Sequence, residues 1–82
     1  MNRVRTQDDL RVVEETDYKA QHIRVVCCYS ALEDSYLVHL YITPPGGHEV
    51  RVFDTPRREN TLQAALDLGF GVAESEIDLQ AP

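Results

Sequence analysis

Two runs of residues suited to a pleated sheet, Gln21–Ser30 (QHIRVVCCYS) and Ser35–Thr43 (SYLVHLYIT), lie almost back to back in this chain. Both are dominated by β-branched and aromatic side chains, and only the polar stretch SALED bridges them. They read as a hairpin. Side chains alternate between the two faces of a strand, so the closure fixes which residues lie opposite and which face each one serves. One face pairs Cys27 with Val38, Val25 with Leu40 and Ile23 with Ile42. It is wholly apolar and must be buried. The other face pairs Cys28 with Leu37, Val26 with His39 and Arg24 with Tyr41.

Pro44, Pro45, Gly46 and Gly47 end the second run, since prolines remove ladder donors and glycines enter turn conformations that other residues resist. Residues 48–54 (HEVRVFD) form a third strand. Holding Val50 and Val52 on the apolar face requires Val50 opposite Ile42 and Val52 opposite Leu40. A symmetrical four-residue turn does not allow this, so Gly46 or Gly47 is expected in a bulge or a turn of odd length. The open face then carries the rows Arg24, Tyr41, Arg51 and Val26, His39, Phe53.

Beyond this the apolar period changes. Leu62, Ala65, Leu66, Gly69, Val72, Ala73 and Ile77 follow the spacing of three and four that lines one side of a helix of about five turns. Two starts are available: Thr55 before Pro56, and Asn60 with Gln63 three residues on. Gly69 falls on the inward stripe, where a missing side chain permits close approach to a sheet. Gly71 points outward and costs about 1 kcal/mol. Residues 7–15 carry a weak helical signal, with Leu10 and Val13 on one side, and a short strand is the alternative.

The order β-β-β-α, with one uncertain element before it, defines an α+β fold: a three-stranded antiparallel sheet with one long C-terminal helix on one face. At 82 residues there is room for one core only, because a domain this small buries about 60–65% of its unfolded surface. Residues 1–82 are therefore expected to form a single domain. Its folded core spans about 18–78, with the N-terminal segment and the last residues loosely held. No repeat or linker divides the chain.

In layout the chain resembles small bacterial domains of unknown function in which three strands precede one long helix. The resemblance covers residues 18–78, through the strand spacing and the helical stretch from Gly69 to Ile77 and Asp78. It implies a fold and brings no functional motif. With a helix at residues 7–15, the layout would also be similar to that of double-stranded-RNA-binding domains. Those use a lysine-rich start of the last helix on phosphates, where this chain offers only Arg57 and Arg58.

The formal net charge of −6 is uneven. Residues 1–18 carry three Arg against five acids, residues 19–58 five bases against four acids, and residues 59–82 five acids and no base. An acidic chain is a poor partner for nucleic acid. Adjacent Cys27 and Cys28 point to opposite faces of a strand and cannot staple distant segments, which indicates a reducing, cytoplasmic setting. No secretory signal or membrane-length apolar run is present.

Catalytic and metal-binding residues are not assigned, and no cofactor is implied. His22, His39 and His48 do not share one face, Cys28 and His39 lack an orienting third group, and PPGG lacks the length and lysine of a phosphate loop. Asp67, Glu74 and Asp78 form an outward helical face that is ordinarily solvated. The chain is read as a non-catalytic interaction or regulatory module. Its candidate face comprises Arg24, Val26, Leu37, His39, Tyr41, Arg51 and Phe53, covered by the N-terminal segment, a second copy of the chain or a ligand. The alternative is a small ligand- or nucleic-acid-binding domain in which a Tyr between two Arg stacks a base or holds an anion.

Overall fold

The computed structural model describes residues 3–80. Its sheet contains β1 (Val4–Gln7), β2 (Arg11–Tyr18), β3 (Gln21–Ser30), β4 (Ser35–Thr43), β5 (Val50–Arg51) and β6 (Arg57–Glu59), followed by α1 (Leu62–Gln80). All pairings are antiparallel, in the order β1-β2-β3-β4, with β5 and β6 both on the outer edge of β4. The fold class is α+β with a single C-terminal helix, but the sheet has six strands rather than three.

The central hairpin has the expected register: Ile23 lies opposite Ile42, Val25 opposite Leu40 and Cys27 opposite Val38. These six side chains form the sheet side of the core. Ala65, Leu66, Phe70, Ala73 and Ile77 form its helix side. Phe70 is the largest fully buried side chain and was not on the expected stripe, whereas Val72 is only half-buried. Gly69 sits in the seam, as its position on the inward stripe required.

The N-terminal segment differs most from expectation. Residues 4–18 form two strands that extend the sheet sideways. They neither make a helix nor lie over the open face. The layout of double-stranded-RNA-binding domains, which needs a first helix, does not apply. The β2–β3 connection is a two-residue turn at Lys19 and Ala20, both with positive φ, 49° and 66°, the backbone that two-residue hairpins require. The apolar side of α1 packs on β3 and β4, so β2 carries polar residues on the helix-facing side. Glu14 is buried there, and its carboxylate accepts a hydrogen bond from Arg5 Nε at 2.7 Å. The Arg3 guanidinium lies 3.8 Å from Glu14 and 4.0 Å from the centre of the Phe70 ring.

Between β4 and β5, the Gly47 N–H donates to the Pro44 carbonyl at 3.0 Å, with Gly46 at φ 71°. Proline at the second position and a positive-φ glycine at the third make a type II turn. Ile42 lies opposite Val50 and the Val52 N–H donates to Leu40, so the predicted register and the odd-length connection both hold. The third strand nevertheless stops at Arg51. After a break the chain rejoins the same edge of β4 as β6, running in the same direction, in the region where the sequence offers a helix start at Thr55. Helix α1 begins instead after Thr61, whose hydroxyl accepts from the Ala64 N–H at 3.1 Å as an N-cap.

Candidate functional site: the open sheet face

The face opposite α1 is built by strand alternation from all six strands, and among the described residues no other element lies over it. Its register rows run directly across the sheet. One row is Glu15, Arg24, Tyr41, Arg51; the next is Val13, Val26, His39; the third is Arg11, Cys28, Leu37, Arg58.

Phe53 is not part of this surface. Strict alternation would place it beside His39, but the strand ends two residues earlier. The ring turns into the cluster between sheet and helix, where it is 7% exposed and lies 5.1 Å from the Arg57 guanidinium. The other six candidate residues do share the open face. Val26 and its neighbour Val13 are each only 7% exposed. Leu37, His39 and Tyr41 are half-exposed, and Arg51 is exposed. Val13 was missed because residues 7–15 gave no clear strand period.

Charge on this face is organised in two wings. On the β2 side, His22 stands between two carboxylates, with Nε2 2.8 Å from Glu15 and Nδ1 2.9 Å from Asp17. Both ring nitrogens must donate to satisfy both acids, so this geometry is that of an imidazolium. Glu15 first and Asp17 second raise the His22 pKa above its ordinary value. Two carboxylates about one imidazolium leave a net negative charge. On the β4–β5 side, Arg24 stacks over Tyr41 at 4.6 Å and forms a two-point contact with Glu49, 3.0 Å from Nε and 2.7 Å from a terminal nitrogen. Arg24 is thereby neutralised. Arg51, on the far side of Tyr41, has no acidic partner among the described residues. Arg58 pairs with Glu33.

The two cysteines divide as strand parity requires. Cys27 is fully buried under the helix, and burial pushes its pKa up to about 12. Cys28 is half-exposed on the open face, and both are free thiols. Cys28 and His39 are diagonal neighbours, one register row apart, and among the described residues no group orients His39 toward the thiol. No three of His, Cys, Asp and Glu converge as a metal set among the described residues.

The outward acids of α1 gain bases that the local sequence does not supply. Lys19 Nζ lies 2.6 Å from Asp78, which also accepts from the Tyr18 hydroxyl at 3.0 Å, and Arg3 lies 4.0 Å from Asp67. These contacts to Lys19 and Tyr18 hold the Asp78 pKa below the usual carboxylate value. Lys19 also places a cation at the C-terminal end of a helix whose last turn has none, where the helix dipole favours it. No helix among the described residues is long and apolar enough to cross a membrane. Comparison with known proteins assigns no family: no family model, no curated protein and no solved structure matches this chain.

Proposed function

We propose that this chain is a non-catalytic interaction or regulatory module whose working surface is the open sheet face. The observation that carries this reading is the combination on one uncovered face of a half-exposed stripe of Leu37, His39 and Tyr41 along β4, the nearly buried Val13 and Val26 beside it, and charged wings at both sides. Apolar centres with polar rims are the anatomy of protein interfaces. The separation of Cys28 from any oriented base favours binding over catalysis, and the two unpaired thiols fit a reducing, cytoplasmic setting. A ligand- or nucleic-acid-binding role draws on Arg51 beside Tyr41. It is the weaker reading, because Glu49 already occupies Arg24 and the two arginines of this face without an acidic partner among the described residues, Arg11 and Arg51, give little hold on a phosphate chain.

Capture from the source cytosol tests this. Immobilised wild-type protein and a helix-face control, Glu74→Lys, should retain the same bound species, and Tyr41→Ala should lose it while melting at a similar temperature. Equal capture by all three, or none by the wild type, would remove the open face as the working surface.

A further inference from the structure

We infer that the partner of the open face is a second copy of this chain, related by a two-fold axis parallel to the strands over the seam between β3 and β4. This rests on the open face being the working surface and adds the identity of its occupant. The row Glu15, Arg24, Tyr41, Arg51 is self-complementary when reversed. The proposed axis exchanges β3 with the partner's β4 and β2 with the partner's β5. Glu15 then faces the partner's Arg51, Arg24 faces the partner's Tyr41, and each contact occurs twice. This is the isologous arrangement that two-fold interfaces require.

Charge and spacing favour this pairing over contacts within one copy. The acid-rich wing at Glu15 and the unpaired Arg51 are three strands apart, roughly 14 Å at the usual spacing of about 4.8 Å. That exceeds the screening length of about 8 Å at physiological salt, so within one copy they scarcely feel each other. Across the axis they meet. In the third row Cys28 comes against the partner's Leu37, adding apolar contact, and Arg11 faces an Arg58 that Glu33 has already neutralised. Asp17 lies one row further out, exposed at the rim, and Glu49 is held by Arg24.

Sedimentation equilibrium over a range of concentrations tests the pairing through charge exchange. Glu15→Arg and Arg51→Glu should each weaken self-association by about tenfold or more, because each creates two like-charge contacts in place of two opposite ones. An equimolar mixture of the two variants should associate again, since both contacts then pair opposite charges. His22→Gln controls for loss of the imidazole contact and should still associate, and thermal melts confirm that each variant is folded. A wild type that stays monomeric, a single variant that associates like wild type, or a mixture of folded variants that fails to associate would each overturn the second copy as occupant. Those results leave the capture experiment standing on its own: loss of a different protein on Tyr41→Ala would keep the open face and reassign its partner.

Discussion

Gly69 on α1 lies so close to Val25 on β3 that a Cβ at position 69 would stand 2.5 Å from one Val25 methyl and 2.9 Å from the other. Val25 is fully buried, so neither side can yield without opening the core. Gly69→Ala should therefore destabilise the domain by about 1–3 kcal/mol despite alanine's better helix propensity. Gly71→Ala, with nothing within reach of its Cβ, should instead gain about 1 kcal/mol. Chemical denaturation of the two variants measures both signs, and a stabilised Gly69→Ala would show that helix and sheet are further apart.

Alanine at position 20 holds φ 66° in the turn between β2 and β3, a conformation that costs a side chain about 1–2 kcal/mol. Glycine removes that cost but loses more chain entropy on folding. Ala20→Gly should raise stability by a net amount of about 0.5–1 kcal/mol, read as a higher midpoint in urea with an unchanged slope. A lower midpoint would mean that the turn is not of this type.

The His22 clamp gives stability a pH dependence of definite sign. The folded pKa is raised above the ordinary value of about 6.5. Its contribution is thus fully present below about pH 6.5 and is lost as pH rises through the folded pKa. With the side chain 43% exposed, solvent screening keeps the effect small. Thermal melts should fall gently over this interval in the wild type and stay flatter in His22→Gln. Identical profiles would show that the imidazole does not hold both carboxylates.

Thiol labelling reads the sheet's orientation. Cys27 lies under α1 with its pKa pushed up to about 12, whereas Cys28 is half-exposed on the other face. Reactivity follows thiolate fraction and access, so Cys28 should react at least tenfold faster in the folded protein. Labelling of Cys27 should wait for unfolding. A faster Cys27 would place the helix on the opposite face.

The sequence determined those features whose causes lie within a few residues. Alternation along 21–43 sets the faces and register of β3 and β4, because a slip of one residue would expose Ile23, Val25 and Cys27 to water. Pro45 and Gly46 specify a type II turn, and the three-four spacing from Leu62 specifies α1. Tertiary structure decided the rest. The Lys19–Ala20 turn carries no glycine or asparagine, and β2 places the adjacent Val12 and Val13 on opposite faces with Glu14 held by Arg5, so neither turn nor strand announces itself locally. Phe53 leaves the open face because it lies in the break between β5 and β6 along the β4 edge, and burial in the core outweighs continued alternation. The row Arg24, Tyr41, Arg51 follows from the two hairpins read in the sequence, whereas Glu15 joins it, and forms the acidic wing, only because β2 pairs with β3. That pairing depends on the Lys19–Ala20 turn, whose closure the local pattern does not encode.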